Sequence, residues 1–236
     1  MKTPKYHRIL LKLSGEALSS KEAGILDFDF IETVAKQIKR CTDAGVQVGV
    51  IVGAGNIWRG RQGTGMEQCR ADHMGMLATT INALALQDVF LRAGMNTKVM
   101  TAVEINAFAD AYTARGAIEA LEAGNVVIFG AGLGIPFFST DTAAALRAAE
   151  IHAECILMAK NIDAIYSADP KKDPNAVRYS DVTYRQIIDE NLRALDMTAT
   201  ILCMDNNIES YAFGLSDPEN IYRAVMGEAV GTAIHN

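Results

Sequence analysis

Three glycine-rich stretches follow apolar runs in this chain: Lys12-Leu-Ser-Gly15, Gly53-Ala-Gly-Asn-Ile-Trp-Arg-Gly60 and Gly130-Ala-Gly-Leu-Gly134. Glycine lets backbone N–H groups approach an anion closely, and a helix that follows adds its positive dipole end. One such stretch alone is also what a tight strand-to-helix turn looks like. Three of them at strand ends point to a polyphosphate. Cations stand beside two of the three. Lys12 ends a buried-type strand, where an ammonium is costly unless it emerges or is paired. It is either a phosphate contact or a snorkelling surface lysine. Arg59 lies in the second stretch, and its planar fork suits phosphate oxygens. Arg61 is a weaker candidate, since solvation explains it equally well.

Carboxylates supply the other half of such chemistry. Asp141 and Asp196 each stand at a helix start, so each is a magnesium or catalytic acid or else an N-cap. Asp72 heads a long helical pattern, where capping alone would explain it. His73 reads as a packed or capping histidine, because no second ligand accompanies it at helical spacing. Trp58 either stacks on a base or anchors its loop. His152 and Glu154 form no metalloprotease pattern. There is no G-x-x-x-x-G-K-[ST], and the second and third stretches break the dinucleotide fingerprint. P-loop chemistry is therefore excluded and a nicotinamide enzyme is the weaker reading.

The elements that must position these groups alternate. Short apolar strands are expected at 9–13, 46–52, 97–103, 125–129, 155–158 and 211–215, with a last one at 232–234. Helical spacing is expected over 30–41, capped by Asp29 and closed by Gly45. Further helices are expected at 72–92, 105–121, 141–151, 183–190, 196–206 and 218–226. Residues 163–176 are polar and read as a long loop. Strand–helix alternation means a mostly parallel sheet covered on both faces, that is, a three-layer α/β domain. In such sheets ligands bind outside the carboxyl ends of the strands, where all three glycine stretches fall.

Composition bounds the rest. The 236 residues are 50% hydrophobic and carry a net charge of −6, so a large core is possible and general nucleic-acid binding is disfavoured. No linker or repeat divides the chain, which reads as one domain over 1–236. Four unpatterned cysteines suggest free thiols in a reducing, cytoplasmic setting. No signal peptide precedes the first strand, and no apolar run reaches about 18 residues, so no membrane partner is expected.

Taken together, the motifs resemble those of the bacterial UMP kinases of the amino acid kinase family. Lys12-Leu-Ser-Gly-Glu-Ala-Leu18 is similar to their opening motif, and residues 53–60 to G-G-G-N-[LIF]-x-R-G. Asp72-His-Met-Gly-Met-Leu-Ala-Thr79, Pro136-Phe-Phe-Ser-Thr-Asp-Thr142 and Asp163-Ala-Ile-Tyr-Ser-Ala-Asp-Pro170 resemble further family motifs. So does the closing Gly227-Glu228 with Gly231-Thr232. The similarity runs from Arg8 to about Ile234. Ala54, Ile135 and Ala164 depart from the pattern, and the stretch after Ala159 is one residue shorter.

The resemblance implies an amino-acid-kinase fold and transfer of the γ-phosphoryl of ATP to UMP with Mg²⁺, as a step in pyrimidine nucleotide biosynthesis. It also implies a homohexamer activated by GTP and inhibited by UTP. Lys12, Leu13, Ser14, Gly15, Gly55 and Arg59 would meet the ATP phosphates. Asn161, Tyr166 and Asp169 would meet the adenine nucleoside. Ala54, Asp72, Leu133, Gly134, Ile135, Pro136, Phe137, Phe138, Ser139 and Thr140 would hold UMP. Lys12, Arg59, Asp141 and Asp196 would form the catalytic set, with the two aspartates organising the lysine and the metal. Ser20, Lys21, Glu22, Ala23, Gly24 and Ile25 match the segment linked with GTP. Residues 1–150 would mainly bind UMP and 151–236 mainly ATP. Two rivals remain: a kinase of the same superfamily acting on a carboxylate, and a catalytically silent nucleotide-binding protein.

Overall fold

The computed structural model describes residues 3–59 and 65–236; Arg61 lies outside them. The chain begins β1 (Arg8–Leu13), α1 (Phe28–Asp43), β2 (Gln47–Val52), α2 (Gln68–Arg92), β3 (Thr97–Thr101), β4 (Asp110–Ala111), α3 (Ala114–Glu122) and β5 (Val126–Gly130). It continues α4 (Thr140–Glu150), β6 (Cys155–Lys160), β7 (Ile165–Tyr166), β8 (Arg178–Tyr179), β9 (Asp181–Thr183), α5 (Tyr184–Asp189), α6 (Met197–Asp205), β10 (Glu209–Gly214), α7 (Glu219–Val225) and β11 (Gly231–His235). Nine strands form one sheet in the order β4-β3-β5-β2-β1-β6-β10-β11-β9. Every pairing is parallel except β10 with β11.

Strand periodicity sets the layers. Ile9, Leu11 and Leu13 point to one face, which α1, α2 and α7 cover. Leu10, Ile51 and Ile156 point to the other, beneath α3, α4, α5 and α6. The architecture is thus a three-layer αβα sandwich. Lys12 shares its face with Leu10, so the period of two aims it toward α4 rather than α1. The order reverses at β1, with β2 on one side and β6 on the other; such a switch point opens a crevice at the strand ends.

The structure moves several expected boundaries. Asp27, not Asp29, caps α1 by accepting from the Phe30 N–H at 3.0 Å. Helix α2 begins at Gln68, a turn before the expected start, which puts Asp72 inside it. The expected helix 105–121 is broken. Residues Asp110–Ala111 pair with β3, and α3 starts only after Thr113, whose hydroxyl accepts from Gly116 N–H. Within the expected loop 163–176, Ile165–Tyr166 makes a small antiparallel ladder with Arg178–Tyr179. Strand β9 carries too few residues to show a period.

Helix α2 is long and apolar enough, by length and composition, to cross a membrane. Its Ala83, Leu86, Val89 and Phe90 are buried in the core beneath the sheet. Cys41, Cys155 and Cys203 are buried free thiols, and Cys69 is also free. Burial pushes the Cys41 thiol up to about 12.

Candidate active site

The first two glycine stretches are packed backbone to backbone. A Cβ on Gly15 would sit 2.4 Å from the Gly53 carbonyl oxygen and 2.7 Å from the Gly55 nitrogen. Gly53 N–H in turn donates to the Leu13 carbonyl at 3.0 Å. Any side chain at position 15 would pry the two turns apart. Ser14 flanks the one-turn 3₁₀ helix Gly15–Leu18 without its side chain capping it.

Lys12 emerges at the end of β1 and meets Asp141 at 2.5 Å, with both side chains about four-fifths shielded. Lys12 is therefore paired rather than a snorkelling surface lysine. Asp141 is not the cap of its helix. Ser139 caps α4, accepting from the N–H groups of Asp141 and Thr142, which frees the Asp141 carboxylate for the lysine. Asp196 does cap α6, through Ala199 N–H at 2.8 Å. Its carboxylate has more than that one task, because the Ser139 and Thr142 hydroxyls also donate to it. Arg59 pairs with Glu16 across the first turn.

Asp72 is not a cap. From the second turn of α2 it accepts Phe137 N–H at 2.8 Å and the Gln68 amide at 2.8 Å. It thereby holds a strained loop: Ala131 and Phe137 have φ of 60° and 72°, the left-handed region that non-glycine residues avoid. Gly134 (φ 77°) lies so close to Ala102 that a Cβ would stand 2.9 Å from its carbonyl oxygen. Buried Thr79 accepts Ala131 N–H at 3.0 Å. Strain that surrounding bonds over-determine is characteristic of ligand-gripping loops. Leu133 packs on the core, while Ile135, Phe137 and Phe138 are exposed. His73 is exposed on α2 and so neither packs nor caps. Trp58 anchors its loop, donating its indole N–H to Ala71 at 2.9 Å.

Two cavities meet here. One, of about 710 Å³, is lined by Asp72, Phe137, Phe138, Ser139, Thr142 and Asp196, among others. The second, of about 480 Å³, is lined by Asp141, Lys160, Leu195, Asp196 and Thr200, among others. Asp196 lines both, and the Ser139–Thr142 turn stands between them. Each is of a size that takes a small ligand. Among the described residues no three His, Cys, Asp or Glu side chains cluster as a closed metal cage.

The model of the amino acid kinase family matches residues 7–213. The chain belongs to this family. Its structure is also similar to three solved members. The UMP kinase of Bacillus anthracis superposes with a TM-score of 0.94 at 35% identity, covering 98% of this chain and 96% of that one. For the UMP kinase of Ureaplasma parvum the values are 0.93, 36%, 98% and 100%. For the uridylate kinase of Archaeoglobus fulgidus they are 0.74, 30%, 96% and 99%.

In this amino acid kinase the segment expected for adenine is the more exposed part. Asn161 and Asp169 are exposed, and Tyr166 donates its hydroxyl to Asp163 at 3.0 Å. Asp163 also holds Arg178 at 3.1 Å. Ala164 is buried with an ordinary backbone φ, so its departure from glycine carries no strain. Segment 20–25 forms an exposed turn closed by a Ser20–Gly24 bridge.

Sequence reasoning missed Lys160. It ends β6, donates to the Ala194 carbonyl and lines the smaller cavity. Loss of water, and then Lys12 nearby, push its amine down to about 8. Its signal was available: a lysine closing an apolar strand beside β1, as Lys12 does.

Proposed function

We propose that this enzyme transfers the γ-phosphoryl of ATP to UMP, giving UDP and ADP. The observation that carries the reading is the pair of cavities that share Asp196, with Asp141, the ion-pair partner of Lys12, lining the smaller one. Two nucleotides reacting phosphate to phosphate need one pocket each and a cation near the reacting groups. The similarity to solved UMP kinases over nearly the whole chain supports the substrate.

Phosphoryl transfer asks for in-line placement and cancellation of negative charge rather than covalent work. Lys12 supplies a fixed ammonium beside the glycine turn of Ser14 and Gly15. Arg59 exchanges Glu16 for a phosphate. No general base is required, since the UMP phosphate is already ionised. Asp72 receives the ribose, and the loop through Leu133, Gly134, Ile135 and Pro136 presents backbone groups to the uracil edge. Asn161, Tyr166 and Asp169 contact the adenine nucleoside.

The donor set suits Mg²⁺, a hard cation that keeps several waters and binds through phosphates and one or two carboxylates. Asp141 and Asp196 would hold it together with ATP, and bound there it neutralises phosphate charge. Residues 1–150 mainly serve UMP and 151–236 mainly ATP, within one domain. We place the enzyme in the cytoplasm, in pyrimidine nucleotide biosynthesis, with free thiols in support. A homohexamer fits the exposed apolar row Met74, Leu77 and Ile81 on α2. GTP activation through segment 20–25 and UTP inhibition complete the reading.

The test is ADP release with UMP, CMP, dCMP or acetylglutamate as acceptor. UMP should lead CMP in kcat/KM by up to about 10⁴-fold, because a pocket bonded to one base edge leaves polar groups unpaired with the other. Equal values for UMP and CMP, or ADP release only with acetylglutamate, would overturn the assignment.

A further inference from the structure

Asn82 lies in the middle of α2 with none of its surface exposed. A buried amide is costly unless all its polar atoms are bonded. Its Nδ2 donates to the Gly53 carbonyl at 2.8 Å and to Asn56 Oδ1 at 2.8 Å. Asn56 answers: its Nδ2 donates to Asn82 Oδ1 at 2.9 Å and to the Ile25 carbonyl at 2.7 Å. All four amide hydrogens and both amide oxygens are used. The closed ring joins three parts of the chain: α2, the glycine turn after β2, and the surface turn 20–27. That surface turn is also held by the Ser20–Gly24 bridge, by Asp27 N–H on the Leu18 carbonyl at 2.7 Å and by Ala23 N–H on the Ser20 hydroxyl at 3.0 Å. Asn56 also stacks over the first glycine turn, since a Cβ on Gly15 would meet its Oδ1 at 2.7 Å.

We propose that Asn56 and Asn82 are a positioning pair: they fix loop 53–59, which carries Gly55 and Arg59, and tie its placement to turn 20–27. Neither residue touches the reacting atoms. Removing one amide leaves the other buried and half-bonded, so the two act as a unit. The loop then drifts, and a displacement of about 1 Å at a phosphate-binding loop can cost about 100-fold in rate. The turn loosens at the same time, because the Ile25 carbonyl loses its donor.

The experiment compares wild type with Asn56→Ala, Asn82→Ala and the double variant in the full-length enzyme. The kinetic arm rests on the UMP kinase reading. Each single variant should lower kcat by about 10- to 100-fold while leaving the KM for UMP within about twofold. The double variant should fall no further than the worse single one, the mark of a coupled pair. The second arm is independent of substrate. Amide hydrogen exchange in residues 20–27 should quicken by about tenfold or more in Asn82→Ala, which makes no contact with that turn itself. Where Asn82→Ala fails to fold, Asn56→Ala, at a half-buried position, carries both measurements. Variants that keep kcat within about twofold, losses that multiply as independent effects, or unchanged exchange at 20–27 would each overturn the proposal. Absence of UMP-dependent turnover in wild type would remove the functional reading and leave the exchange arm standing.

Discussion

The loop after β5 and the loop after β6 reach the same crevice, yet they are built differently. The first, 130–138, is pinned by buried Thr79 and by Asp72 and holds Ala131 and Phe137 in left-handed conformations. The second, 161–169, is mostly exposed at its two ends; its middle is held by the ladder with Arg178–Tyr179, by Ile165 N–H on the Thr232 hydroxyl, and by Tyr166 and Arg178 on Asp163. A strained, over-bonded loop presents one shape, while a polar exposed one adapts to what it meets. Selectivity should therefore reside in the first and tolerance in the second. The ammonium groups of Lys12 and Lys160 stand between them.

The largest effect tests the groups between the two loops. Lys12→Met should lower kcat by about 10²–10³-fold, the usual size for one fixed electrostatic contact to a developing charge. A lone buried lysine would leave the protein as stable or more stable when removed. Lys12 is paired instead, so the variant strands Asp141 and the melting temperature should fall by a few degrees. Activity above about a tenth of wild type would mean that other groups, Arg59 among them, carry the transition state.

On the rigid side, Asp72→Asn should raise the KM for UMP by about tenfold and leave that for ATP nearly unchanged. Asparagine keeps an acceptor for Phe137 N–H, so the melting temperature should hardly move. Equal changes in both KM values would show that the two loops do not divide the substrates.

On the adaptable side, Tyr166→Phe removes one exposed hydrogen bond to Asp163. The expected rise in KM for ATP is about twofold to fivefold, with no change for UMP. A loss as large as that of Asp72→Asn would mean the second loop is as preorganised as the first.

The smallest effect concerns Lys160. Its amine lies near 8 in the folded chain against an ordinary 10.5, so between these values the unfolded chain binds more protons. Stability contributed by the group is therefore absent at pH 8 and gained as pH rises toward 10.5. Melting curves of wild type should gain on those of Lys160→Met across that window; parallel curves would show that the amine is not shielded from water.

Much of this was legible from residue types in order. Alternating strands and helices, the glycine turns and the strand-end position of Lys12 are local facts, and local facts imply a parallel sheet with a crevice at its carboxyl ends. Boundaries failed where two local signals competed, as at 105–121, where an apolar helical spacing concealed the Thr113 cap and a two-residue strand. The three aspartates were harder. Asp72, Asp141 and Asp196 look alike as helix-head carboxylates, yet only Asp196 caps, because Ser139 and an earlier helix start relieve the other two. Lys160 showed only its strand-end position, and Asn82 showed nothing, for a related reason. A lysine at the end of one apolar strand and an amide inside one apolar helix acquire meaning only from their neighbours in space. Sequence by itself determined which chemistries were available and which elements would carry them. The tertiary structure decided which carboxylate meets which cation, since hydrogen bonds and ion pairs form across elements far apart in the chain and depend on distances of a few ångströms.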